Sequence, residues 1–384
     1  MDLKLTEEQE AIRDMVRDFV DREVRPRAKK ADDEERADRE LFKMAAELGL
    51  TGVAVPEEYG GVGQDKVGYC LFTEELAKGC SGFATTMGAH QSIGLMTILL
   101  DGTEEQKKKY LPAMASGEKI GAFALTEPNA GSDAAAMETT AVKDGDFFVI
   151  NGRKQWITNG TFADVVTVFA LTDKALRAHG GVTAFIVEKE YPGFIVGTKD
   201  HKMGIRGSES CELIFENMRV PACNVLGRLG AGFLTAMKTL DVGRLSLAAA
   251  CVGACKEAIQ LSVKHASERI QFGKPLTEQP VIQHYLATMA ADTYAMESMV
   301  YKTAWMADNE KRFSRESAIC KLFCSEAAGR VIDYAVQIHG GLGYMREHAI
   351  ERMYRDARIN RIFEGTNEIQ RLVIARDVIR KGCF

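Results

Sequence analysis

The chain is 384 residues long, 46% hydrophobic and 27% charged, with a net charge of -5. That length carries two or three domains with a sizeable core, and the acidic balance excludes a protein that works by covering phosphates, so no nucleic-acid partner is expected. No run of about 18 apolar residues appears, so no membrane span is expected, and the polar start Met1-Asp2-Leu3-Lys4 lacks the apolar stretch of a signal peptide.

The segment up to about residue 118 reads as helical. Thr6 with Glu8 to Glu10 looks like a cap before Ile12, Met15, Val16, Phe19 and Val20, which share one helical face. Charges of both signs crowd Arg22 to Glu40, as on a solvated helix surface. A turn is expected at Pro56 to Gly61, and helical patterns at Leu71 to Ala77 and Ser92 to Leu100. Thr103 opens a short helix expected to end near Pro112.

The middle changes character. Phe147–Ile150, Val165–Phe169, Ala184–Val187 and Glu212–Phe215 are short β-branched and aromatic runs separated by Gly, Asn and Asp turns. Over about residues 120–228 this spacing predicts an antiparallel barrel or sandwich. From Gly232 the helical period returns, with long amphipathic stretches at about 233–268, 278–308, 314–338 and 366–380, which suggests a bundle. Met289, Met296, Met299 and Met306 fall near one face, as core or subunit interface does. The 9 cysteines include no C-x-x-C pair with partner histidines. They read as buried free thiols in a reducing compartment, and cytoplasm is the expected location.

Neither nucleotide loop is present. Gly61-Val62-Gly63 lacks a third glycine, and Gly273-Lys274 runs into Pro275. The seven histidines show no metal-ligand spacing, so no metal is expected.

Five segments carry chemistry. Ala124-Leu125-Thr126-Glu127-Pro128-Asn129-Ala130-Gly131-Ser132-Asp133 offers small residues for close backbone approach and hydroxyls for a polar ligand, or is an ordinary turn cluster. Lys154-Gln155-Trp156-Ile157-Thr158-Asn159-Gly160 places a stacking face two residues from a hydroxyl at a strand end, so that both point the same way. Arg269-Ile270-Gln271-Phe272-Gly273 and Gln337-Ile338-His339-Gly340-Gly341-Leu342-Gly343 end helices and serve equally as plain caps. In Ile362-Phe363-Glu364-Gly365-Thr366-Asn367-Glu368-Ile369-Gln370-Arg371, Thr366 or Asn367 caps the last helix and holds Glu364 just outside its N-terminus.

These motifs, in this order and spacing, resemble the acyl-CoA dehydrogenase family over nearly the whole chain, Thr6 to Arg380. The resemblance implies an α+β multidomain fold: an N-terminal helical domain (1–118), a middle β-barrel (119–230) and a C-terminal four-helix bundle (231–384). It implies a homotetramer, a dimer of dimers, with one FAD per subunit. By motif matching, Phe123, Leu125, Thr126, Gly131 and Ser132 line the flavin and the thioester. Trp156 flanks the isoalloxazine with Ile157, and Thr158 bonds near flavin N5. Arg269, Phe272, Gln337, Gly340 and Gly341 reach the FAD of a neighbouring subunit, and Thr366 and Glu368 finish the FAD site. Ser132, Asp241, Arg244 and Gly365 hold the acyl-CoA.

Glu364 matches the family's catalytic base, which takes the α-proton while the β-hydride goes to flavin N5. Its backbone N–H and a flavin ribityl hydroxyl receive the charge that develops on the thioester oxygen. Some members carry the base on an earlier helix, in a pattern like L-D-x-E-R. Here that pattern reads Leu240-Asp241-Val242-Gly243-Arg244, with no carboxylate at Gly243. Gln279, followed by Pro280, is displaced by one from a glutamine that contacts the FAD adenosine in relatives. The expected activity is dehydrogenation of an acyl-CoA, with electrons passed to electron-transferring flavoprotein. The alternatives are the reverse enoyl-CoA reduction, an oxidase, or a non-catalytic relative such as a DNA-associated one. His90 to Gly94 resembles long-chain members, whereas chain length and Leu240 to Leu245 resemble short-chain ones. Branched, cyclic and aromatic acyl groups stay open.

Overall fold

The structure is a computed structural model that describes residues 4–310 and 312–382. Met1 to Leu3 of the polar start, and Cys383, lie outside the described residues.

The first part is helical because its apolar residues recur at helical spacing between good caps. α1 (Glu7–Phe19) opens with a capping box: Thr6 Oγ1 accepts from Gln9 N–H, and Gln9 Oε1 accepts from Thr6 N–H. It is followed by α2 (Arg25–Glu34), α3 (Arg39–Glu47), α4 (Lys66–Gly79), α5 (Ser81–Gly88), α6 (Met96–Asp101) and α7 (Glu104–Ala115). Between α5 and α6 the chain winds as a π-helix over Ala89–Leu95. α7 runs past the expected stop and keeps Pro112 inside it.

The middle part is an eight-stranded sheet: β1 (Gly121–Ala124), β2 (Thr140–Asp144), β3 (Phe147–Thr158), β4 (Val165–Leu171), β5 (Val182–Glu188), β6 (Phe194–Lys199), β7 (Ser210–Pro221) and β8 (Val225–Leu226). The order is β6-β7-β3-β2-β4-β5-β8, with β1 beside β4. One correction concerns direction. β1 pairs parallel to β4, and β2 meets β4 in parallel at Thr140 and Leu171, so the sheet is mixed rather than wholly antiparallel. β1 arrives from the helical part and enters alongside β4, a pairing that no hairpin dictates.

Alternation explains why β4 is buried along its whole length. Val166, Val168 and Ala170 turn inward with Phe148, Ile150, Phe185 and Phe215. Val165, Phe169 and Leu171 turn outward onto Leu95, Tyr110, Met114 and Leu240 of the helical parts. The sheet therefore encloses one core and leans on another.

The last part holds α8 (Gly232–Glu268), α9 (Pro280–Asn309), α10 (Ser314–His339), α11 (Ala349–Ala357) and α12 (Asn367–Lys381); α11 has no counterpart in the sequence reading. α8 crosses the molecule, packing on α4, α9 and α10. A Cβ at Gly253 would lie 1.9 Å from the Glu74 carbonyl oxygen, so α4 and α8 touch backbone to backbone only because that position is glycine. α8 is also the one helix among the described residues long and apolar enough to cross a membrane, but 67% of its apolar window is buried inside the molecule. Met289 and Met296 are fully buried in this core, with Cys251, Cys255, Cys320 and Cys324. The eight cysteines among the described residues are free. Cys223 is exposed and departs from the buried reading, because it sits in the turn between β7 and β8.

Candidate active site

A cleft of about 620 Å³ opens where α4, α5, the ends of β1 and β3, α8 and the start of α12 converge. Of the residues singled out from sequence, it gathers Phe123, Leu125, Thr126, Gly131, Ser132, Trp156, Ile157, Thr158, Arg244, Glu364 and Gly365. Residues as far apart as position 123 and position 365 meet there because β1, β3, α8 and α12 all present an end or a face to one space.

The β1–β2 loop is held by a buried ion pair. Lys154 Nζ, fully buried, donates to Glu127 Oε1 at 2.7 Å and to the Leu125 carbonyl at 3.0 Å. Glu127 in turn accepts from the backbone N–H groups of Glu138 and Thr139. This arrangement pins both ends of the segment from Leu125 to Thr139.

At the end of β3 the strand leaves regular geometry. Trp156 has φ +58°, and pairing with β7 shifts register between Lys154 and Ile157. Trp156, Ile157 and Thr158 all line the cleft, and Ile157, 3% exposed, also packs into the core that the sheet encloses, so Trp156 and Thr158 both reach the cleft from this irregular strand end. Trp156 stays 61% exposed, a large indole held open beside the cavity.

Opposite lies the turn Phe363-Glu364-Gly365. Glu364 and Gly365 have φ of +55° and +88°. The turn is fixed through its carbonyls: Arg244 Nε donates to the Glu364 oxygen at 3.2 Å, Gln370 Nε2 to the Glu364 and Gly365 oxygens at 3.1 and 2.9 Å, and Lys321 Nζ to the Gly365 oxygen at 2.8 Å. Thr366 then caps α12, its hydroxyl accepting from Ile369 N–H. Among the described residues no group accepts from the Glu364 N–H.

Glu364 as a whole is half-buried, with one carboxylate oxygen sheltered. Glu364 Oε2 is buried and has no hydrogen-bond partner among the described residues. Burial pushes the carboxyl up to about 7, against the opposing pull of Arg244 and Lys321. Lys321, itself fully buried, is pushed down to about 8 by its own burial. A Cβ at Gly243 would sit 2.5 Å from Glu364 Oε2. The position where some family members carry their base is therefore the space this carboxylate occupies, and a side chain at 243 would displace it.

Other named residues stand away from the cleft. Asp241 pairs with Arg244 at 2.8 Å and orients that guanidinium. Arg269, Phe272, Gln337, Gly340 and Gly341 are exposed at the ends of α8 and α10, and Phe272 is 92% exposed. Thr366 is half-buried at the helix cap, and Glu368 is exposed. Gln279 caps α9 and donates to the Gln271 carbonyl at 3.4 Å. Sequence reasoning missed Lys321, Gln370 and Ile205. Lys321 had a signal, a cation on the apolar stripe of α10 with Ser317, Cys324 and Ala328; Gln370 stood inside the last motif without a role assigned to it, and Ile205 had no signal.

The residues present fit FAD. An exposed indole and an adjacent threonine face an apolar cleft that ends at an unpartnered carboxylate, the donor set a flavin and a thioester need. Among the described residues no cluster of His, Cys, Asp and Glu suits a metal.

Comparison with known proteins agrees. The family described as acyl-CoA dehydrogenase matches through its N-terminal domain at residues 6–118, its middle domain at 122–218 and its C-terminal domain at 230–379. The chain is 47% identical to acryloyl-CoA reductase (NADH) of Anaerotignum propionicum over 99% of this chain and 97% of that one. It superposes on butyryl-CoA dehydrogenase from Megasphaera elsdenii with a TM-score of 0.97 and 43% identity, covering 99% and 100% of the two chains. It also superposes on an acyl-CoA dehydrogenase complexed with FAD from Bacillus anthracis, with a TM-score of 0.92 and 44% identity over 98% and 68%. On its motifs, its architecture and these matches, the chain belongs to the acyl-CoA dehydrogenase family.

Proposed function

We propose that Glu364 is the catalytic base of a FAD-dependent acyl-CoA dehydrogenase that converts an acyl-CoA thioester to its 2-enoyl-CoA. The observation that carries the assignment is the unpartnered Glu364 Oε2, buried on a residue that lines the cleft.

A thioester α-hydrogen is a poor acid, so the base must be close, aligned and no weaker than its site allows. Glu364 meets this through burial, which raises its basicity toward that of the α-carbon, and through a turn whose two carbonyls are tied by Arg244, Gln370 and Lys321. A positioned base contributes about 10² to 10⁴ in rate. The uncommitted Glu364 N–H is the donor we assign to the thioester oxygen, and such a donor contributes roughly a hundredfold or more. FAD, when bound, supplies the redox chemistry by accepting the β-hydride at N5. Trp156, Ile157 and Thr158 would hold the flavin with Phe123, Leu125, Thr126, Gly131 and Ser132; Arg244, oriented by Asp241, would hold the acyl-CoA with Ser132 and Gly365.

The reverse reading, reduction of an enoyl-CoA, has one relative's name behind it; the family description and the butyryl-CoA dehydrogenase likeness both favour oxidation. We further assign electron-transferring flavoprotein as the acceptor, a homotetramer as the assembly with Arg269, Phe272, Gln337, Gly340 and Gly341 reaching a neighbour's FAD, and the cytoplasm as the location, supported by the free thiols. The segments 1–118, 119–230 and 231–384 are the proposed domains.

Glu364→Gln tests the assignment. The variant should retain FAD and bind acyl-CoA but lose nearly all flavin bleaching in single-turnover mixing. Bleaching at the wild-type rate would place the base elsewhere.

A further inference from the structure

The loop between β6 and β7 carries an unusual residue. Ile205 is β-branched yet has φ +46°, a conformation that bulky side chains rarely adopt. It is nearly buried and lines the cleft. A few residues on, β7 begins at Ser210, which pairs with Thr158, while Asn159 N–H donates to the Glu209 carbonyl. Ile205 therefore stands on the loop that leads straight into the strand end carrying Trp156 to Thr158.

Its backbone is held from outside the sheet. Ile205 N–H donates to Asp356 Oδ1, on the last turn of α11, a carboxylate that is 4% exposed. A Cβ at Gly204 would lie 2.4 Å from the Arg355 carbonyl, so the loop rests directly on the α11 backbone. Arg355 donates to the Met203 carbonyl at 3.2 Å and pairs with Asp32 of α2 at 2.6 Å. On the other side, Thr86 Oγ1 of α5 donates to Ser208 Oγ at 3.2 Å. Glycine would adopt the same backbone at 205 without strain. What isoleucine adds is an apolar side chain in the cleft wall, and Asp356 keeps it there.

We propose that Asp356 is a positioning residue for the flavin: its carboxylate locks Ile205 in the left-handed conformation, so that the cleft wall beside Trp156 to Thr158 is formed before the cofactor arrives. This rests on the cleft being the FAD site. A preformed wall lowers the ordering cost of binding, so its loss appears in cofactor affinity.

The test is titration of the apoprotein with FAD, followed by flavin fluorescence, alongside thermal unfolding. Asp356→Ala should weaken FAD binding about tenfold, and Asp356→Asn, which keeps a carbonyl acceptor, should restore it to within about threefold. Ile205→Gly decides between roles, because it relieves strain while deleting the wall. It should fold with the same loop backbone, lose some thermal stability with the buried side chain, and bind FAD about tenfold more weakly at temperatures well below its unfolding. A folded Ile205→Gly variant that binds FAD like wild type would overturn the proposal and leave Asp356 a structural residue. Wild-type apoprotein that binds no FAD would instead refute the flavin reading on which it depends.

Discussion

Glu364 is pulled both ways. Burial favours its neutral form, while Arg244 and Lys321 favour the charged one, and burial prevails with a value of about 7. A folded-state value above the ordinary 4.5 means the native protein binds a proton that the unfolded chain releases between those limits. The cost of the buried charge is then present above about pH 7 and disappears as pH falls toward about 4.5, so this residue makes the apoprotein more stable in acid than in base. The proposed role as base demands the opposite state, because only the carboxylate takes a proton. The profile of kcat/KM against pH should rise with an inflection near 7. Apo Glu364→Gln should gain stability over wild type at about pH 8, by on the order of 1–3 kcal/mol, with the gain vanishing near pH 5. Flat kcat/KM across neutrality, with equal denaturant midpoints at both pH values, would contradict this account of the base.

Among the elements, the β1–β2 loop shows how a wall of the cleft is stiffened from beneath. Lys154 is a cation in the full interior, paired with a carboxylate that also takes two backbone amides. Removing one partner of such a pair leaves the other uncompensated, at about 3–5 kcal/mol. Lys154→Met should lower the denaturant midpoint accordingly and reduce flavin content, whereas Glu127→Gln with Lys154→Met should recover part of the stability, since no lone charge remains. Equal losses in the single and double variants, read from denaturation curves, would show the pair is not what supports the loop. This pair was illegible from sequence, because Glu127 and Lys154 are 27 positions apart and neither spacing nor composition links them. The long helices were legible, since α8 to α10 repeat apolar residues over many turns. β1 was not, because Gly121-Ala122-Phe123-Ala124 has no β-branched residue and owes its strand conformation to β4. The π-helical stretch at Ala89–Leu95 and the left-handed turn at Ile205 escaped for a related reason: tertiary contacts set both against local preference. The motif residues of the cleft were readable in order, but their shared space depends on chain crossings that no local pattern records.

For the whole molecule, the cleft of one chain accounts for only part of the residues that the family resemblance ties to FAD. The others form a patch of their own. His265 and His339 stack at 4.5 Å, which joins the end of α8, with Arg269 and Phe272, to the end of α10, with Gln337 and Gly340. Phe272 leaves this patch on a left-handed turn, almost wholly exposed, and Ile270 beside it is 60% exposed. An apolar ring at the tip of a short hairpin gains nothing in water, and burying it against a second copy contributes about 1.5–3 kcal/mol per subunit. If that copy's flavin lies against the patch, assembly and cofactor retention are one equilibrium. Phe272→Asp should therefore lose both together: light scattering at micromolar concentration should show species smaller than a tetramer, and the flavin-to-protein ratio after gel filtration should fall in the same samples, with excess FAD partly restoring size. A Phe272→Asp protein that stays tetrameric with full flavin would detach this patch from the cofactor, because the charge would then sit in solvent with no neighbour to repel.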